Sequence, residues 1–250
     1  MRTSNKLIIA IFLLILLSLF GYDYLLKTAY LTGSYKDPYA DFENLKFKDF
    51  DTVDVISSTV ANVKFIQGPF GVKMDGASRD YIKIKQQGRR LQIDVNFASS
   101  FFGNPNPYVL LISCPSLNEV NTSAIYQVGT RVVTDTIAHE DWHMRQVLID
   151  GFKQDSLKIT QDFGSTVVLN NNSIGSVNAL VGKSPGSGSE IIIQKTNRFE
   201  KTNFDIHNNG KLLLNDAVIQ NLNYHLADSA KLILTGAAIN KEMIIKSNQK

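Results

Sequence analysis

The sequence predicts an all-β body, built as a solenoid of stacked coils, behind one amino-terminal transmembrane helix. Two observations carry this: a loose repeat in the second half and a charge-free apolar segment at the start. The repeat emerges when Ile159-Thr160-Gln161-Asp162-Phe163-Gly164-Ser165-Thr166-Val167-Val168-Leu169-Asn170 is set beside Ile206-His207-Asn208-Asn209-Gly210-Lys211-Leu212-Leu213-Leu214-Asn215 and Leu226-Ala227-Asp228-Ser229-Ala230-Lys231-Leu232-Ile233-Leu234-Thr235. Each segment starts on an apolar residue, crosses a short polar turn and enters a three-residue apolar strand. Each continues to a later Ile (Ile174, Ile219, Ile239). Ile206 to Leu226 spans 20 residues and Ile159 to Leu180 spans 21. One coil of that length cannot bury its own apolar face, and stacked neighbours do it instead. In this register Leu213 and Ile233 are expected to be equivalent core positions on stacked coils.

Leu7 to Phe20 is free of charge, and Gly21 to Leu26 extend it with one acid, Asp23. About 20 mostly apolar residues suffice for a helix to cross the bilayer's hydrocarbon. Arg2 and Lys6 precede the segment, which places the amino terminus on the cytoplasmic side, and Tyr22 and Tyr24 fall where an interfacial aromatic belt would lie. A cleaved signal peptide has the same basic start and apolar core. It also needs a small-x-small cleavage site. Ser18-Leu19-Phe20 ends on Phe and Leu19-Phe20-Gly21 begins on Leu, so an uncleaved signal anchor is expected. The organisation read from this is a cytoplasmic terminus at 1–6, a transmembrane anchor at 7–26 in contact with the lipid bilayer, a spacer at 27–49 and a solenoid at 50–250.

From Phe50 onward short strands alternate with turns. Val63-Lys64-Phe65-Ile66 runs into Gln67-Gly68-Pro69, a turn by composition. Val72-Lys73-Met74 and Ile82-Lys83-Ile84 follow, then a turn at Gln87-Gly88 and Leu91-Gln92-Ile93-Asp94-Val95, whose strict alternation buries one face. Phe97 to Tyr108 carries four aromatics broken by Gly and two prolines, read as a flap over one end of the stack. Val109 to Ile112 and Val120 give further strands. Gln127 to Gln146 is irregular, and coils resume at Val147. Asn170-Asn171-Asn172, Asn208-Asn209-Gly210 and Asn215-Asp216 mark corners, because these residue types tolerate the left-handed backbone that tight corners require. Ser184-Pro185-Gly186-Ser187-Gly188-Ser189 reads as a flexible insertion.

Composition narrows the function. The apolar fraction is 44% and the charged fraction 20%, as in globular proteins. The net charge of +3 is spread along the chain, and the densest basic pair in the body is Arg89-Arg90 at a hairpin turn. Without a concentrated basic face or a recognition motif, no nucleic-acid partner is expected. Neither a Gly-x-x-x-x-Gly-Lys-Ser/Thr nor a Gly-x-Gly-x-x-Gly motif occurs. The one cysteine, Cys114, lies in an apolar run and reads as a small buried hydrophobe.

Two enzyme readings exist. His139-Glu140-Asp141-Trp142-His143 matches H-E-x-x-H, which on a helix puts two His on one face for zinc with Glu as base. Against it stand the charged Asp141, the strand-like run that follows, and the missing third-ligand signature. On a strand the two His would lie roughly 13 Å apart, too far for one ion. The second reading is a polysaccharide-cleaving solenoid using Asp155, Asp162, Asp205, Asp216 or Asp228 in two-carboxylate hydrolysis. These acids are turn residues first. His207 and His225 have no local signature. The expectation is therefore no catalytic, cofactor-binding or metal-ligating residue and no cofactor.

The opening Val63-Lys64-Phe65-Ile66-Gln67-Gly68, the hairpin arm from Gly88 to Ile93, the stretch Leu111-Ile112-Ser113-Cys114-Pro115-Ser116-Leu117-Asn118-Glu119-Val120 and the coils after Leu157 together resemble the auto-transporter adhesin head domain, or GIN domain, of bacteria. The resemblance covers most of Phe50 to Ile245. It implies export and a right-handed parallel β-solenoid. Of the family's Ser-Gly-Ser-Gly pattern only Ser187-Gly188-Ser189 is present, and Gln127 to Gln146 departs from it. The family supplies no catalytic residue to carry over. The function expected is a non-enzymatic, membrane-anchored envelope protein whose body, on the periplasmic side, is a scaffold or an adhesive surface for an envelope glycan or protein.

Overall fold

The structure, a computed structural model, describes residues 3–33, 37–98, 109–138, 145–219, 221–239 and 244–247. The chain divides into two units, Met1–Phe42 and Glu43–Lys250. In the first, helix α1 (Thr3–Thr32) exceeds the predicted anchor at both ends. Its stretch Asn5–Thr32, 28 residues with an 18-residue window of mean hydropathy 2.3, is long and apolar enough to cross a membrane. The apolar side chains are exposed all round it. At its far end the Thr28 and Thr32 hydroxyls donate back to the carbonyls of Tyr24 and Thr28, each at 2.9 Å. Those groups are thereby satisfied within the helix rather than by water.

The second unit has twenty strands among the described residues. They are β1 (Glu43–Leu45), β2 (Thr52–Val55), β3 (Val63–Gln67), β4 (Gly71–Met74), β5 (Ile82–Gln87), β6 (Arg90–Phe97), β7 (Leu110–Cys114), β8 (Glu119–Thr122), β9 (Ile125–Val128) and β10 (Arg131–Thr134). There follow β11 (Val147–Asp150), β12 (Lys153–Gln161), β13 (Thr166–Asn170), β14 (Ser173–Val181), β15 (Glu190–Gln194), β16 (Arg198–Ile206), β17 (Lys211–Asn215), β18 (Asn221–Leu226), β19 (Lys231–Thr235) and β20 (Ile244–Ser247). From β11 onward the chain alternates between two sheets, and every pairing is parallel. One sheet runs β3-β11-β13-β15-β17-β19 and the other β8-β12-β14-β16-β18-β20.

The first half is mixed, unlike the uniform coils expected from Phe50. β1, β4 and β7 pair antiparallel, as do β5 with β6 and β9 with β10. For the two hairpins, β5–β6 and β9–β10, the reason is loop length. Gln87 pairs with Arg90 and Val128 with Arg131, leaving Gly88-Arg89 and Gly129-Thr130 as two-residue loops. Such loops join only antiparallel strands, because a parallel return needs a long crossover. Gly88 and Gly129 take φ of 58° and 61° there.

The repeat's apolar triplets align as read: Val167, Ile191, Leu212 and Leu232 stack, as do Leu169, Ile193, Leu214 and Leu234. Leu213 does stand beside Ile233, but on the outer side, where both are only half-buried. The core positions are Leu212 and Leu214, each fully buried. The segment starts also shift. Gln161, not Ile159, is level with Val181, Ile206 and Leu226. This buried glutamine's Nε2 donates to the Glu190 carbonyl at 2.9 Å, while its Oε1 is buried without a partner among the described residues.

Corners behave as their residues dictate. Asn171, Asn208, Asp216 and Asp228 all have φ between 54° and 57°. At one corner Asn172 and Asn197 stack and close the backbone of successive coils. Asn172 Nδ2 donates to the Ile149 carbonyl at 2.9 Å, and Asn197 Nδ2 to the Leu169 carbonyl at 2.7 Å. The Ser184–Ser189 segment is an insertion, since 182–189 replaces the shorter turns 162–165 and 207–210. It is built in rather than flexible: Ser187 and Ser189 are fully buried. The irregular stretch supplies the reason. Residues 135–138 cross the turns as a strap, with Gly164 N donating to the Asp135 carbonyl at 2.6 Å, Gly188 N to the Thr136 carbonyl at 2.7 Å and Ala138 N to the Gly188 carbonyl at 3.1 Å. A Cβ on Gly164 would lie 2.6 Å from the Ile137 carbonyl oxygen, so the backbone can pass only over glycine.

Candidate functional site

Side chains alternate across a strand, so each residue that faces the core leaves its neighbours facing out. On the longer sheet this produces two outward columns. One runs Thr52, Glu119, Lys158, Asn178, Asn203 and the other Asp54, Asn121, Thr160, Leu180, Asp205, His225. Polar partners stand one strand apart and pair along the stack. Lys158 meets Glu119 at 3.3 Å, Asn121 Nδ2 donates to Asp54 at 2.8 Å and Asn223 Nδ2 to Asn203 at 3.2 Å. A shallow groove of about 680 Å³ runs between Glu119, Asn121, Lys158, Asn178, Lys183 and Asp205.

The groove ends at a cluster that sequence reasoning missed. Asp205 on β16 and His225 on β18 are register partners. His207 lies two residues past Asp205, on the same face. His225 Nδ1 stands 2.8 Å and His207 Nε2 2.9 Å from the same oxygen, Asp205 Oδ1. The rings are 5.8 Å apart, edge to face. All three side chains are partly exposed. Partial burial pushes the Asp205 carboxyl up, but hydrogen bonds from the two histidines and their charge outweigh it and hold it below the ordinary carboxylate range. The missed signal was the spacing: Asp205 and His225 lie one 20-residue period apart.

Asp51 is held down likewise. Its burial is outweighed by hydrogen bonds from Arg89, Thr52 and Asn118 and by the Arg89 charge. Arg90 pairs with Asp54, so both arginines of the basic pair are neutralised by acids on β2 or just before it. Both shifts run opposite to that of a general acid, whose pKa must rise. A lowered folded pKa adds stability above the unfolded value of about 3.9, lost as pH falls through the lower folded value. Urea melts should therefore weaken below about pH 4, and the loss should be shallower in Asp205→Asn and Asp51→Asn. Identical pH slopes in wild type and both variants would contradict this.

The other sequence candidates fare differently. His139 to His143 lie outside the described residues. Asp162 accepts from Phe163 N and Ser184 N, Asp216 from Ala237 N, and Asp228 from Asn208 N. These three are corner acceptors, as expected. Asp155 is exposed and borders a second groove of about 890 Å³ with Arg198, Phe199 and Glu200. Cys114 is fully buried, and that burial, with Asp51 nearby, pushes its thiol up to about 12, so it stays protonated and inert. Phe97 packs against Tyr81 in a tilted pair and against Tyr126 edge to face, with centroids at 5.0 and 6.2 Å. The rest of its loop, 99–108, lies outside the described residues.

No family model matches the sequence, and no curated protein matches it. Among solved structures, one named "putative adhesin", from Parabacteroides distasonis, is 13% identical with a TM-score of 0.51, covering 77% of this chain and 73% of its own. A second of that name, from Parabacteroides merdae, is 12% identical over 83% of this chain and 95% of its own, with a TM-score of 0.33. A "putative lipid binding protein" from P. distasonis is also 12% identical, over 83% and 96%, with a TM-score of 0.26. The first likeness shows a shared fold.

Proposed function

We propose that the protein is a non-enzymatic, membrane-anchored component of the bacterial envelope whose body binds a glycan or protein through the outer face of its longer sheet. The observation that carries this reading is the pair of outward columns, a broad, exposed strand surface lined by paired polar groups. In this reading residues 7–26 form a signal anchor with 1–6 in the cytoplasm, the chain from 27 up to β1 is a spacer, and the body is a right-handed parallel β-solenoid of the GIN type on the periplasmic side. The length of α1, the parallel ladders and the fold shared with the P. distasonis protein support it. The hydrolase alternative has less behind it, because Asp162, Asp216 and Asp228 serve as corner acceptors.

The test has two arms. Protease added to spheroplasts should digest the body, and full digestion resistance in intact spheroplasts that disappears on lysis would refute the topology. The full chain in nanodiscs, screened against envelope glycans and proteins, should yield a ligand whose binding drops at least about tenfold with Lys158→Glu plus Asn178→Lys on the outer face, as loss of a contact centre does. Binding unaffected by these changes would remove the surface from the reading.

A further inference from the structure

The pair of histidines converging on one carboxylate oxygen is more than a surface hydrogen bond. Imidazole nitrogens and a carboxylate are the donors that zinc and its neighbours take, and three protein ligands with open positions are the pattern of reactive or exchangeable sites. Here one oxygen and two nitrogens, from three residues, lie within 4.8 Å of one another. A tetrahedral ion with bonds of about 2.0–2.2 Å holds its donors roughly 3.3 Å apart. Each nitrogen now stands 2.8 or 2.9 Å from the carboxylate oxygen, so those two separations need open by about half an ångström, and the two nitrogens lie within 4.8 Å of each other.

The frame that carries these donors is fixed. Asp205 and His225 are held in adjacent parallel strands, whose spacing is about 4.8 Å. His207 lies outside the strand, yet its backbone is held on both sides: its N–H donates to the Val181 carbonyl at 2.8 Å and its carbonyl accepts from Gly210 N at 2.9 Å. Gly182 packs against the same carbonyl so closely that a Cβ would lie 2.2 Å from it. Donors on a rigid backbone need little reorganisation to meet an ion.

We propose that Asp205, His207 and His225 bind one divalent transition-metal ion of the zinc type through a carboxylate oxygen, His207 Nε2 and His225 Nδ1, leaving open positions toward the adjacent groove. A ligand in that groove carrying a hydroxyl, carboxylate or phosphate oxygen would complete the coordination. The site stands independently of the adhesive reading and replaces the sequence expectation of no metal ligand.

The experiment is zinc titration of the full chain in detergent, followed by calorimetry and by the imidazole ¹H–¹⁵N resonances. The expected result is one equivalent bound, with the His207 and His225 resonances shifting. His207→Ala and His225→Ala should each weaken binding about tenfold or more, given that even supporting partners of ligands cost 10–100-fold. Circular dichroism checks that each variant is folded, and Asp205→Asn, which keeps the shape, should also weaken binding. His139→Ala with His143→Ala should leave the affinity unchanged. Absence of zinc binding by the wild type would overturn the proposal. So would binding that follows His139 and His143 and ignores His207 and His225.

Discussion

Leu214→Asp should leave the β-body unfolded or nearly so, while Leu213→Asp, one residue away, should melt within a few degrees of wild type. Leu214 is fully buried and stacked between Ile193 and Leu234. A carboxylate there has no partner, and an uncompensated buried charge costs about 3–5 kcal/mol. That is a large share of a domain's total stability of about 5–15 kcal/mol. Leu213 stacks between Ile192 and Ile233 on the outer side. An Asp at this partly buried position keeps contact with water, so it loses only part of the apolar burial and costs far less than at Leu214. Thermal and urea melts followed by circular dichroism check both. The opposite ranking would mean that the strand faces are inverted.

The second large effect is expected at Gly182. Gly182→Ala should destabilise the body by more than about 2 kcal/mol, because two costs add. Its φ of 78° is left-handed, which costs an L-residue about 1–2 kcal/mol. In addition the new Cβ would sit 2.2 Å from the His207 carbonyl oxygen, which forces β14 and β16 apart at their ends. Gly186 is the control. It has the same φ of 78°, with nothing within 4 Å of its Cβ, so Gly186→Ala should show the conformational cost alone. Equal shifts in urea midpoint for the two variants would remove the steric argument. Because the clash lands on His207, Gly182→Ala should also displace the His207 imidazole resonances, and Gly186→Ala should not.

The stacking of Thr166–Asn170, Lys211–Asn215 and Lys231–Thr235 was legible because each is an apolar triplet between polar residues, and the ladder preserves that alignment. The corners were legible too, since Asn and Asp at Asn171, Asn208, Asp216 and Asp228 advertise left-handed backbone. The face of each triplet was not. Leu212, Leu213 and Leu214 are all apolar, so the period-two signal that separates inside from outside is erased. The starting residue of the repeat was misplaced because Gln161 is polar in an apolar column. The Asp205, His207 and His225 cluster is not a local motif. It exists only once the 20-residue period is converted into strand register, which brings Asp205 and His225 side by side.

The strap at residues 135–138 changes how the body can come apart. A stack whose coils touch only their neighbours can fray from either end, one layer at a time. Here a segment from the early half is hydrogen-bonded across two later turns, at Gly164 and Gly188. Peeling the layers that carry those turns exposes the strap's own carbonyls, so the middle of the molecule must open as a block. During synthesis the same contacts wait for chain that has not yet emerged. The strap itself therefore stays unpaired with those turns until Gly188 arrives.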